Sequence, residues 1–204
     1  MRTILGALCL AAALACAAAP AQAQNIKGKV GVTGQIGFII PADSDIGPDK
    51  SKLESDAGFI GGGGLIYGID RNWAAELNVS YTNYDTQTHS GSLKGDFDLT
   101  NISLGGQYRF EITAPNLVPY AGAGLDILVG DFGANDNRSY DVDTTVGVHL
   151  SGGIDYFITK NVALNAEAKV VIAPETDIKL NGITVGNFDP SGFSGLFGVR
   201  FFFN

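Results

Sequence analysis

The chain is poor in most of what a redox, catalytic or nucleic-acid-binding domain needs. Of its 204 residues only two are cysteine, two histidine, one tryptophan and one methionine. Both cysteines, Cys9 and Cys16, fall inside an N-terminal stretch with the form of an export leader. Arg2 supplies the charge, 4–19 the short apolar run, and Ala21-Gln22-Ala23 the small residues a signal peptidase reads. The expected division is a signal peptide at 1–23 and a single domain at 24–204. Without the leader no cysteine remains, which excludes disulfides, a thiol nucleophile and cysteine-held metal. The alternative reading of the same stretch is acylation at Cys16, since Leu14-Ala15-Cys16 faintly resembles a lipobox; Ala13 stands where a large aliphatic residue is usual.

Basic charge is also scarce. The segment after the leader carries twelve Lys plus Arg against twenty-one Asp plus Glu, a formal charge of about −9. Nucleic acid is excluded as a partner, because binding it relies on clustered cations. No apolar run there reaches the roughly 18 residues of a spanning helix, and few stretches show a helical period.

What the chain does have is glycine, phenylalanine and tyrosine, at 28, 12 and 7 residues, arranged in alternation. Strands of about ten residues with apolar side chains on one face and polar ones on the other are the mark of a transmembrane barrel. Eight can be counted, at 30–40, 57–69, 73–84, 99–110, 120–130, 145–158, 162–172 and 194–204. In the third, Trp73, Leu77, Val79 and Tyr81 oppose Glu76, Asn78, Ser80 and Thr82. The last places Phe193, Phe197, Val199, Phe201 and Phe203 on one face and Arg200 on the other. A strand that apolar would aggregate in water unless covered, so its face is assigned to lipid.

Connections alternate in length. Those at 70–72, 111–119 and 159–161 are short, and those at 41–56, 85–98, 131–144 and 173–191 are long and polar. The fold class expected is therefore all-β, an eight-stranded antiparallel up-and-down barrel in a Gram-negative outer membrane, with short periplasmic turns, long extracellular loops and both termini periplasmic. An open sheet edge has no place in hydrocarbon, so the sheet must close. Two turns share a pattern: Tyr67-Gly-Ile-Asp-Arg-Asn-Trp-Ala and Tyr156-Phe-Ile-Thr-Lys-Asn-Val-Ala. Either a duplication or one interface problem solved twice explains it, and the second is the simpler.

Parity sends Glu76, Arg109, Asp126, Asp155, Glu167, Lys169 and Arg200 inward, because a cation facing lipid at mid-bilayer costs about 2 to 4 kcal/mol. These charges can pair as a structural plug, the default reading, or line a solute path. Glycines at 58, 62, 64, 68, 122, 124 and 130 also point inward. They either leave room beside Ile60, Ile66, Leu128, Phe157, Leu196 and Phe202 or let the strands coil tightly. Eight strands enclose space for side chains or one small ligand and exclude a wide aqueous pore.

Family resemblance enters through Pro119-Tyr120-Ala-Gly-Ala-Gly, through Gly153-Ile-Asp-Tyr-Phe-Ile-Thr-Lys-Asn-Val-Ala-Leu-Asn-Ala, and through Phe188-Asp189-Pro190 followed by Gly198-Val-Arg-Phe201. These stretches resemble the OmpW family from about Pro119 onward; before it, strand layout carries the likeness. The resemblance implies a narrow channel passing small hydrophobic solutes and releasing them sideways through the wall. The expected lining is Glu76, Arg109, Leu128, His149, Phe157, Glu167, Lys169 and Arg200. The alternative is an OmpA-like surface barrel with a plugged lumen whose loops bind partners.

Expected partners are outer-membrane lipid, lipopolysaccharide and, through the C-terminal strand, the barrel-assembly machinery. Leu196-Phe-Gly198-Val-Arg-Phe201-Phe-Phe203 resembles its recognition signal, with Asn204 displacing the terminal aromatic. No cofactor is expected. His149-Leu-Ser151 with Glu167 superficially resembles the set of an outer-membrane lipid deacylase, but parity turns His149 and Ser151 into the lumen and Gly152 stands where that family has Asn, so the protein is read as no enzyme. His89 reads as solvated. Asp43, Asp45 and Asp49, or Asp136, Asp141 and Asp143, lack the spacing of a calcium loop. Residues 178–185 around Asn181-Gly182 read as a small hairpin.

Overall fold

The computed structural model describes residues 25–42, 44–46, 51–55, 57–88, 94–114, 116–134, 139–180 and 183–203. They contain thirteen strands: β1 (Val30–Pro41), β2 (Ser44–Ile46), β3 (Ser51–Ser55), β4 (Gly58–Gly68), β5 (Trp73–Thr88), β6 (Lys94–Arg109), β7 (Leu117–Ala134), β8 (Ser139–Val142), β9 (Thr145–Phe157), β10 (Val162–Ile172), β11 (Thr176–Leu180), β12 (Ile183–Phe188) and β13 (Gly192–Phe203). Eight of them, β1, β4, β5, β6, β7, β9, β10 and β13, close in that cyclic order into an antiparallel barrel. The closing seam pairs β1 with β13 from Val30↔Phe203 to Pro41↔Gly192. Closure leaves these eight strands without a free edge.

Side-chain parity inverts the rule of soluble proteins. Outward-facing Ile36, Phe59, Leu150 and Phe197 are 60 to 64% exposed, while inward-facing Asp126, Asp155 and Arg200 are 0% exposed. Only a nonpolar surrounding accepts an apolar exterior on every spanning strand together with charges inside. Trp73 and Tyr108 meet edge to face at 5.2 Å, and Tyr108 meets Phe110 at 5.1 Å, beginning an aromatic girdle at the end where the short turns lie.

The two similar turns at that end are built alike. Asp70 Oδ1 accepts from the backbone N–H of Asn72 and of Trp73, both at 2.8 Å. Thr159 Oγ1 does the same for Asn161 at 3.2 Å and Val162 at 3.0 Å. Each turn's asparagine then reaches the adjoining strand end, Asn72 to the Arg109 carbonyl at 3.0 Å and Asn161 to the Phe202 carbonyl at 2.8 Å. A short polar side chain that satisfies turn amides, followed by an asparagine that ties the turn sideways, is one local solution used twice.

At the opposite end the sequence-based reading needs correction. The stretches read as long loops continue the sheet: β5, β6 and β7 extend to 16, 16 and 18 residues, and β2, β3, β8, β11 and β12 join them. Pairings β3–β5, β2–β3, β12–β2, β11–β12, β11–β8 and β7–β8 complete a second ring above the first. Residues such as Asp85, Thr86, Gln87 and Thr88 are polar at every position, so no alternation announces a strand there. Pairing to neighbours already held by the barrel supplies what the local pattern lacks. The expected hairpin is β11 with β12, and Asn181 and Gly182 at its tip lie outside the described residues. So do the leader with Cys9 and Cys16, and Asp43, Asp49, His89, Asp136 and Asn204.

Candidate functional site in the barrel lumen

The lumen is stratified. Lowest, at the short-turn end, Ile26, Ile66, Val118, Phe157, Ala163 and Phe202 form a buried apolar floor. Phe157 and Phe202 stack at 5.6 Å.

Over the floor sits an ion network centred on Arg200. Its Nη1 donates to both Asp155 oxygens at 3.1 and 3.0 Å, and its Nη2 to Glu76 Oε1 at 3.1 Å. Glu167 Oε2 stands 3.9 Å from the same Nη2. Arg109 Nη2 meets Asp155 Oδ2 at 2.7 Å. Tyr120 lies beneath the Arg200 guanidinium at 5.0 Å, donates its hydroxyl to Glu167 at 2.7 Å and accepts from Asn165 at 2.9 Å. Gln107 donates to Glu76. Charges removed from water are tolerable here because each is paired and hydrogen-bonded.

A second network lies higher. Asp126, fully buried, accepts from His149 Nδ1 at 2.5 Å, Lys169 Nζ at 2.9 Å and Asn101 Nδ2 at 2.9 Å. Lys169 Nζ also donates to Ser103 Oγ at 2.8 Å. Between the two networks and a collar of Ile39, Ile60, Leu99, Leu128 and Leu196 opens a cavity of about 760 Å³, counting the part open to solvent.

Of the residues expected to line a path, Glu76, Leu128, His149, Glu167 and Lys169 border this cavity. Arg109 and Arg200 lie in the ion network beneath it, and Phe157 lies in the floor. The inward apolar residues are therefore two layers with charges between them. His149 pairs with Asp126 and Glu167 with Tyr120, so His149, Ser151 and Glu167 do not form one relay. Gln107 and Asn165 share the polar strand faces that alternation assigns to the lumen with Arg109 and Glu167, whereas Tyr120 was not singled out, although the parity that turned Gly122 inward also turns it. The inward glycines follow from close strand approach. A Cβ on Gly62 would fall 2.5 Å from the Val79 carbonyl oxygen, and one on Gly64 would collide with that of Leu77.

At the height of the collar the wall changes character. β1 ends at Pro41 and β2 begins at Ser44; β3 ends at Ser55 and β4 begins at Gly58. β8 and β9, β10 and β11, and β12 and β13 part at 143–144, 173–175 and 189–191. Because β4, β1, β13, β10 and β9 are neighbours in the ring, these five interruptions form one continuous seam. β5, β6 and β7 cross the same level unbroken. Pro174 and Pro190 lie in the seam and have no N–H to offer a ladder. Two backbone bonds remain across it, from the Ala42 N–H to the Ser191 carbonyl at 2.9 Å and from the Asp143 N–H to the Asp177 carbonyl at 3.3 Å, and side chains add to them: Ser191 Oγ accepts from the Ala173 N–H at 3.2 Å and donates to the Ala173 carbonyl at 3.3 Å, and Thr176 Oγ1 donates to the Asp143 carbonyl at 2.9 Å.

A closed antiparallel ring with a lipid-suited exterior and a charged interior defines a transmembrane β-barrel protein of the outer-membrane class. The chain belongs to the outer membrane protein beta-barrel domain family, which it matches over residues 9–202. Its fold is similar to that of OprG from Pseudomonas aeruginosa, with TM-score 0.71 and 18% identity over 90% of this chain and all of that one. AlkL, determined in DMPC bilayers, is similar at TM-score 0.57 and 15% identity, covering 92% of this chain and 96% of that one. Escherichia coli outer membrane protein W is similar at TM-score 0.51 and 17% identity, covering 87% and 98%. These likenesses of fold agree with the OmpW-type resemblance, and membership of the family places the protein in an outer membrane. An uncharacterized protein of Haemophilus influenzae is 32% identical over 105 residues, 48% of this chain and 57% of that protein. The match spans little more than half of that relative's length.

Proposed function

We propose that the barrel takes up small apolar solutes at its extended end, holds them in the collar-lined cavity and releases them sideways into the membrane. The observation that carries this reading is the pairing of a sealed floor with an interrupted wall. Below the cavity the ion network and the Phe157–Phe202 floor fill the lumen, so a solute cannot continue along the axis. Beside it the seam is held by few bonds, and Pro190 borders both seam and cavity. An apolar solute gains by leaving toward hydrocarbon.

The short-turn end with both termini is assigned to the periplasm and the second ring to the cell surface, amid lipopolysaccharide. Residues 1–23 serve as the export leader, and β13 is the segment handed to the assembly machinery. A second reading, a surface barrel whose outer ring binds partners, draws on the filled lower lumen.

The test is uptake of n-octane by cells with a lipopolysaccharide-bearing outer membrane that do or do not carry the barrel. Faster uptake with the barrel is expected. Ala173→Cys with Ser191→Cys, its cross-link verified by gel mobility, should abolish the gain until a reductant is added. Equal uptake with and without the barrel overturns the transport reading; full uptake by the cross-linked form overturns the seam as exit.

A further inference from the structure

The inner wall of the barrel is ruled in rungs that run across the strands, because residues paired across neighbouring strands share one row and one face. One rung runs Asn101↔Ser80, Ser80↔Gly62, Gly62↔Gln35 across β6, β5, β4 and β1. The rung above it runs Leu99↔Thr82, Thr82↔Ile60, Ile60↔Gly37, Gly37↔Leu196. A polar row therefore lies directly under an apolar one. Both face the cavity.

The polar row holds two amide oxygens without a hydrogen-bond partner, Gln35 Oε1 and Asn101 Oδ1. The two side chains are only 6% and 8% exposed. The Asn101 assignment follows from its amide nitrogen, which is committed to Asp126 and leaves the oxygen turned away from that carboxylate. Buried acceptors of this kind are costly unless a donor reaches them.

We propose that this wall seats neutral medium-chain alcohols, with the hydroxyl on the Asn101–Ser80–Gly62–Gln35 rung and the alkyl chain against Leu99, Ile60 and Leu196 above. The proposal rests on the uptake reading and narrows its substrate class. An alkane fills the apolar row but leaves both acceptors unmet, whereas a hydroxyl donates its one proton to Gln35 Oε1, the acceptor outside the Asp126 network. A carboxylate is disfavoured, since Glu76 and Glu167 border the cavity and the Lys169 ammonium is committed to Asp126 and Ser103.

The test uses the barrel in lipid nanodiscs, titrated with n-octanol, n-octane or octanoate against empty nanodiscs. Methyl resonances of Ile60, Leu99 and Leu196 and side-chain amide resonances of Gln35 and Asn101 are followed by NMR. Wild type should half-saturate with n-octanol at a concentration about tenfold lower than with n-octane, about one hydrogen bond's worth, and only n-octanol should move the amide signals. Gln35→Leu, which lies outside the Asp126 network, should remove most of that preference while leaving n-octane unaffected. Gln35→Ala replaces Gln35→Leu if that variant fails the heat-modifiable mobility check for a folded barrel.

Equal half-saturation for alcohol and alkane, tighter binding of octanoate, or a preference that survives Gln35→Leu and Gln35→Ala overturns the proposal. The two readings fail separately. Loss of the alcohol preference with n-octane uptake intact removes the seat alone, and an intact seat with no n-octane uptake removes the transport reading alone.

Discussion

The lower and upper halves of this barrel each close as a ring of eight strands and share β5, β6 and β7, but they are held together in different ways. Below, every spanning strand is in ladder with two neighbours, and the interior is filled by charge pairs and stacked aromatics. Above the cavity, β5, β6 and β7 continue while five adjacent strands break and restart, and at the break hydroxyl groups of Ser191 and Thr176 supplement the sparse backbone bonds of Ala42 and Asp143. The difference teaches that closure and filling are separable. A small barrel can be rigid where its side chains interlock and compliant where only its backbone closes the ring.

The largest expected effect lies in the lower half. Arg200→Met takes the shared guanidinium from Asp155, Glu76 and Glu167 at once, leaving Asp155 to Arg109 and the two glutamates without this ion pair, at a cost of about 3 to 5 kcal/mol. Urea unfolding in lipid checks it, and an unchanged midpoint would show that the network is not what holds this half. Phe202→Ala, which takes one ring of the floor from its 5.6 Å stack, should cost about 3 kcal/mol by the same measurement.

In the upper half, Ser191→Ala should cost no more than about 1 kcal/mol and raise n-octane uptake, sharpening the contrast between a structural and a permeable layer. Unaltered or slower uptake would return the seam to a purely structural role. The smallest effect concerns a turn outside the bilayer. The Trp73 amide first and the Asn72 amide second hold the Asp70 carboxyl below the usual aspartate range. A depressed folded value means that the turn is supported at neutral pH and loses this support only as pH falls through that value. Hydrogen exchange at the Trp73 and Asn72 amides should quicken there and not at the matching Thr159 turn, where the acceptor does not titrate.

The fold was largely readable from alternation, because lipid and lumen impose opposite chemistry on successive residues. Glu76, Arg109, Asp126, Asp155, Glu167, Lys169 and Arg200 were all turned inward by that argument alone, and the structure puts each there. Pairing was not readable. That Asp126 takes His149, Lys169 and Asn101 while Arg200 gathers Asp155, Glu76 and Glu167 depends on strand tilt and stagger, which bring together side chains as far apart as residues 76 and 200. Of the upper ring, the β11–β12 hairpin was legible from Asn181-Gly182 and its flanking apolar residues, whereas the extension of β5 escaped because residues 85–88 are polar on both faces and leave period two no trace.

By itself the sequence determined that the chain forms a lipid-facing barrel of eight spanning strands, and which side chains enter it, since those follow from hydropathy taken two residues at a time. Only the tertiary structure decided that the two apolar layers are separated by a layer of charge, that the wall is interrupted over five neighbouring strands, and that a polar rung underlies an apolar one. Those features arise from the register between strands distant in the chain, and no local pattern specifies register across a closed sheet.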